Sequence, residues 1–148
     1  MPHNVDTVSS AMDPAELFDY MAEFSNAAEW DPGTVSARRL GDGPVGLGSR
    51  FELIVRFAGR ESPFAYEITE YERPRRVVLV AETGAAIVTD TMSIAAGSGG
   101  GSVLTYDARL ELKGARRLFS PLMSVLFGRV FANGRRGLEE TIGSGADR

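Results

Sequence analysis

The chain has 148 residues, is 43% hydrophobic, carries a formal charge of -4 and contains no cysteine. A chain of this length buries about two thirds of its unfolded surface around one core without staples. The missing cysteine excludes disulfides, thiolate metal sites and cysteine nucleophiles, and fits a reducing compartment. The basic residues fall as scattered pairs (Arg38-Arg39, Arg75-Arg76, Arg116-Arg117, Arg135-Arg136) without an aromatic-interleaved stripe, which argues against nucleic acid.

The opening segment "MPHNVDTVSS" has neither the basic start nor the apolar core of a signal peptide, and "PLMSVLFG" is too short to span a bilayer. A soluble, cytoplasmic protein without integral membrane association is therefore expected. Residues 5 to 9 read as a short strand. Asp13-Pro14 then reads as an N-cap with proline at the first helical position, and Glu16 completes a capping box. The helix predicted over 14 to 24 presents Leu17, Phe18, Met21 and Phe24 on one face. "SNAAEW" starts a second helical turn that Asp31-Pro32-Gly33 ends, because a residue before proline disfavours the helical region.

From Thr34 the hydrophobic period changes to two. Strands are predicted at 34 to 40, 49 to 58, 62 to 72, 75 to 82, 86 to 95 and 102 to 113, joined by hairpin-length turns, so the sheet should be antiparallel. Alternation sends Phe51, Leu53, Val55 and Phe57 to one side, and likewise Leu104, Tyr106, Ala108, Leu110 and Leu112. Ser120-Pro121 opens the longest helix, predicted to end near Ile142. Phe119, Met123, Leu126, Val130, Gly134 and Gly137 form its stripe, opposite Arg129, Asn133, Arg136 and Glu140. Two glycines on that stripe imply either close packing or deliberate space. Residues 1 to 143 read as one domain, with 144 to 148 as a frayed tail.

"GDGPVG" matches the dinucleotide-binding G-x-G-x-x-G, but the alternating "SRFELIVRF" follows it where a helix N-terminus would be needed, so it reads as a hairpin loop. His3 is the only histidine and belongs to an N-terminus expected to be mobile, which excludes a histidine triad or histidine metal site. The acids alternate with apolar residues rather than cluster, so no metal and no cofactor are expected. Alternation does place Tyr66, Asp90 and Tyr106 on the inward face. An inward carboxylate must find hydrogen bonds or hold its proton more tightly, and such groups concentrate at functional sites. Two alternatives stand beside that reading: Asp90 lies at a sheet edge, or an arginine satisfies it. For the tyrosines the alternative is a core role with a satisfied hydroxyl.

The helical pair "DPAELFDYMAEFSNAAEWDPGT", the turn "GPVGLGSRFEL", the segments "YEITEYERPRRVVLV", "VTDTMSI" and "SVLTYDARLEL", and the C-terminal helix at Ser120-Pro121 together resemble the START-like (SRPBCC) superfamily of polyketide cyclases, lipid-transfer and ligand-binding proteins. The resemblance implies an α+β helix-grip (Bet v 1-like) fold: a curved antiparallel sheet of about seven strands wrapped around the C-terminal helix, with two short helices after the first strand. It also implies an apolar cavity with Trp30 near the mouth, and Gly134 and Gly137 leaving room beside the helix. The expected pocket is Trp30, Phe51, Leu53, Val55, Tyr66, Ile68, Asp90, Met92, Tyr106, Ala108, Met123, Leu126 and Val130.

Three functions follow from this reading. The first is binding of a small hydrophobic molecule such as a lipid, polyketide or isoprenoid, by a monomer or homodimer. The second is a polyketide cyclase or dehydratase using Asp90 as acid or base and a tyrosine hydroxyl to polarise a carbonyl. The third is a partner-binding module that docks through "LFSPLMSVLFG".

Overall fold

The computed structural model describes residues 3–57, 59–114 and 120–143. Strand β1 (His3–Ser10) leads to helix α1 (Pro14–Ala22), a 3-10 turn (Phe24–Asn26) and the single turn α2 (Ala27–Trp30). Six strands follow: β2 (Thr34–Leu40), β3 (Arg50–Phe57), β4 (Arg60–Glu72), β5 (Arg76–Glu82), β6 (Ala86–Ala96) and β7 (Ser102–Leu112). Helix α3 (Ser120–Ile142) ends the fold.

All seven strands form one antiparallel sheet in the order β1-β7-β6-β5-β4-β3-β2, so β1 returns to pair with the last strand while the others join as consecutive hairpins. Irregularities between Thr34 and Ser36 and between Ile68 and Glu70 break the pairing register. Such bulges bend strands and strengthen twist, and here they accompany the concave face that receives the helices. The hairpin after β2 holds "GDGPVG" and runs directly into β3, as the missing helix signal predicted.

Asp13 caps α1, its Oδ1 accepting the Glu16 N–H at 2.9 Å. The helix ends at Ala22, two residues earlier than its periodicity predicts, because the chain tightens into the 3-10 turn that tucks Phe24 inward. Leu17, Phe18 and Met21 press on the sheet, and Phe18 meets Tyr71 edge to face at 5.3 Å. Full burial of each such side chain contributes about 1.5–3 kcal/mol. The bidentate Arg73–Asp19 pair at 2.7 and 2.8 Å ties the β4–β5 turn to the outside of α1.

β1 is longer than predicted, and His3 is not at a free end. It pairs in register with Arg109, and its Nε2 lies 2.9 Å from Asp107 Oδ1 on the outer face. Ladder hydrogen bonds to β7 hold this segment, a long-range pairing that no local pattern reveals.

The C-terminal half of α3 is packed, with Gly134, Gly137, Leu138 and Ile142 buried. Its first turns stand away from the sheet, leaving Leu122 and Val125 exposed by 58% and 56%. Gly137 corrects one expectation, because it leaves no room: a Cβ there would overlap the Trp30 carbonyl oxygen and lie 2.9 Å from its carbon. Its missing side chain instead lets α3 dock against the end of α2. Gly134 faces the Trp30 ring and Asp31 at ordinary contact distance, 3.7 Å from an ideal Cβ. Phe119, Arg116-Arg117 and the tail 144–148 lie outside the described residues. No helix among the described residues is long and apolar enough to cross a membrane.

Candidate functional site

Between the concave sheet and α3 lies a cavity of about 540 Å³. Its position follows from how deeply each inward residue sits. On β7, Leu104 is fully buried, whereas Tyr106, Ala108 and Leu110 border the cavity. On β6, Met92 is fully buried, whereas Asp90, Val88 and Ala86 border it. On β3 and β4 the break falls between Phe51 and Leu53 and between Ile68 and Tyr66. Below that line α1 and the 3-10 turn fill the concave face; above it α3 bridges the sheet without filling it. The mouth is framed by Phe57 at the β3–β4 hairpin, Thr83 and Ala85 at the β5–β6 turn, and Leu122 and Met123 on α3.

Of the residues expected to form the pocket, Trp30, Leu53, Val55, Tyr66, Asp90, Tyr106, Ala108, Met123, Leu126 and Val130 line this cavity. Phe51, Ile68 and Met92 do not. They face the same side of the sheet but one inward position deeper, where Phe24 packs edge to face on Phe51 at 6.4 Å and the core is closed. Trp30 is also displaced from the expectation. It sits not at the mouth but beside the inner end, only 5% exposed, against Tyr106 at 5.6 Å and Phe24 at 6.4 Å. Gly137 of α3 lies close against the Trp30 backbone carbonyl.

The inner end carries the polar chemistry. Tyr106 Oη donates to Asp90 Oδ2 at 2.9 Å, joining residues diagonally placed across β6 and β7. Asp90 is not at an edge and, among the described residues, is not paired with an arginine: it lies on an interior strand, 6% exposed. Burial pushes its carboxyl up to about 7; the Tyr106 hydrogen bond opposes this, and the negative charges of Asp31 and Asp107 add to it. Tyr66 and Tyr106 are pushed well above the usual phenol range, first by burial and then by Asp90, so both keep their protons. Among the described residues the Tyr66 hydroxyl and Asp90 Oδ1 have no hydrogen-bond partner. Trp30 Nε1 and Arg135 Nε are buried without one.

Sequence reasoning missed three charged residues here. Asp31 read only as part of a turn, yet it lies partly buried on the cavity wall, where its oxygens accept the Gly33 N–H at 3.0 Å and the Thr34 hydroxyl at 2.9 Å. Burial raises its pKa against those two hydrogen bonds. Asp6 and Arg135 form an ion pair at 2.8 Å between β1 and α3, with Arg135 also reaching Glu139 at 3.2 Å, and so close one side of the cavity. Alternation along β1 carried the signal for Asp6, since its inward partners are Val8 and Ser10. No group of three or more histidine, aspartate or glutamate side chains among the described residues could hold a metal ion.

The comparisons with known proteins agree with this architecture. Residues 1–143 match the family model described as polyketide cyclase / dehydrase and lipid transport, and the chain belongs to that family. A START superfamily protein from Mycobacterium smegmatis shares 17% identity and superimposes with a TM-score of 0.76 over 95% of this chain and 96% of that one. For a protein from Thermus thermophilus the values are 15%, 0.75, 94% and 95%. The Zhui aromatase/cyclase from a Streptomyces species gives 12%, 0.74, 92% and 90%. At these identities the likeness defines the fold alone. No curated protein sequence matches the chain significantly.

Proposed function

We propose that the protein binds a small hydrophobic molecule in the cavity between the sheet and α3, for transport or sequestration. The observation that carries this reading is the cavity itself: about 540 Å³, walled by aliphatic and aromatic side chains, with polar groups gathered at its inner end. Ligand sites of this kind use apolar walls for affinity and a few polar groups for orientation. Family membership supports it. Trp30 is the only tryptophan in the chain and borders the cavity, so it reports occupancy. Titration with the neutral probe N-phenyl-1-naphthylamine is expected to quench Trp30 emission by energy transfer at a stoichiometry of one. An unchanged Trp30 signal, with native mass spectrometry finding no bound species, would refute the reading.

One observation favours a second reading. Asp90, poised near neutral pH and hydrogen-bonded to a tyrosine inside an apolar cavity, has the protonation behaviour of a general acid or base. The similar fold of an aromatase/cyclase gives that chemistry a precedent on this scaffold. In a cyclase or dehydratase, Asp90 would move the substrate proton and the Tyr66 hydroxyl would polarise a carbonyl. Turnover of a polyketide substrate that survived unchanged in Asp90→Asn would exclude the mechanism.

A further inference from the structure

The inner end of the cavity is asymmetric in charge. Asp90, buried, and Asp31, partly buried, both line it, and Arg135, the one cation on the wall among the described residues, is ion-paired with Asp6 and Glu139, though its buried Nε has no hydrogen-bond partner. An anionic group brought to this end would meet two carboxylates in a medium of low polarity with no free cation to compensate it. The open hydrogen-bonding groups are of both kinds, donor and acceptor. Asp31 has both oxygens satisfied. Asp90 has one oxygen bonded and one open, and neither the Tyr66 hydroxyl, on a side chain only 7% exposed, nor the buried Trp30 Nε1 has a partner among the described residues.

Resting on the hydrophobic-ligand reading above, we infer that the cavity selects an alcohol or phenol, seated with its hydroxyl at the inner end, donating to Asp90 Oδ1 and accepting from Tyr66 Oη. A hydroxyl is the simplest group that can donate to Asp90 and accept from Tyr66 at once. A carboxylate offers no donor to ionised Asp90 and is repelled by it. An ammonium ion offers no acceptor to Tyr66. Leaving a buried polar group without its partner costs about 1–3 kcal/mol, which makes this inventory selective.

The groups that set the charge at this end come from every element around it: Asp90 on β6, Tyr106 on β7 with Asp107 on the opposite face, Tyr66 on β4, Asp31 after α2, and the Asp6–Arg135–Glu139 set across β1 and α3. Burial holds the Asp90 carboxyl near 7, so the site is partly protonated at neutral pH, and either form accepts a hydroxyl partner.

Three probes sharing one chain and differing only in the head test the inference: dodecanol, dodecylamine and dodecanoic acid, each displacing N-phenyl-1-naphthylamine from the intact protein at about pH 7.5. Dodecanol is expected to bind at least about tenfold more tightly than dodecanoate. Tyr66→Phe should narrow that gap by weakening dodecanol, and Asp90→Asn should narrow it by strengthening dodecanoate. These ratios are read within one variant, so a general loss of stability does not imitate them. Equal binding of all three, or tightest binding of dodecanoate or dodecylamine, overturns the hydroxyl assignment while the hydrophobic-cavity reading stands. No displacement by any of the three overturns both.

Discussion

Asp90→Asn is expected to make the protein more stable at about pH 8, by a few kcal/mol, while changing little at about pH 4. The wild-type carboxyl titrates near 7 in the fold against 3.8 in its unperturbed state, so between those values the native protein holds a proton that the unfolded chain has released. Stability therefore falls as pH rises through that window and stays low above it, the full penalty being on the order of 4 kcal/mol. Asparagine keeps the shape of the side chain and a partner for Tyr106 but carries no charge to desolvate. Asp31, whose pKa burial also raises, leaves a residual slope of the same sign in the variant. Urea denaturation at the two pH values measures the difference. A midpoint shift of equal size at both would show that Asp90 carries no buried-charge penalty. A functional site that reduces stability at neutral pH is a common trade, and ligand binding that satisfies Asp90 would recover part of the loss.

The second large effect falls on α3. Gly137→Ala forces a methyl group onto the backbone carbonyl of Trp30, which cannot rotate away, so the helix must shift from α2; a cost of about 3 kcal/mol is expected. Gly134→Ala, one turn earlier, meets only the Trp30 ring and Asp31 at 3.7 Å, and should be neutral or gain up to about 1 kcal/mol from helix propensity. Thermal or urea unfolding separates the two, and Trp30 emission should move to the red only in Gly137→Ala as the inner end of the cavity opens. Equal stability of the two variants would mean that α3 does not depend on that close approach.

Much of the fold was legible because its signals are local. Aspartate and proline at positions 13 and 14 start α1, and the even period from Thr34 to Leu112 predicted six strands to within two residues of their observed ends. The inward direction of Asp90, Tyr66 and Tyr106 followed from the same period. What stayed illegible was depth. Ile68 and Tyr66, or Met92 and Asp90, are identical in pattern, being successive inward positions on one strand, yet one of each pair is sealed in the core and the other borders the cavity. Only the docking of α1 and the 3-10 turn against one half of the sheet makes them different. Trp30 shows the same limit: the family resemblance implied a place near the mouth, whereas the ring is packed against Tyr106 and the Trp30 backbone against α3.

The sequence by itself determined which residues turn inward and which helices bound the sheet, since side-chain direction is a property of the local backbone period. Tertiary structure alone decided that Asp90 meets Tyr106, sixteen residues away, that Asp31 lies partly buried near them, and that Arg135 is ion-paired with Asp6. Those relations depend on strand register and on where helices come to rest, which are settled by the packing of the whole chain.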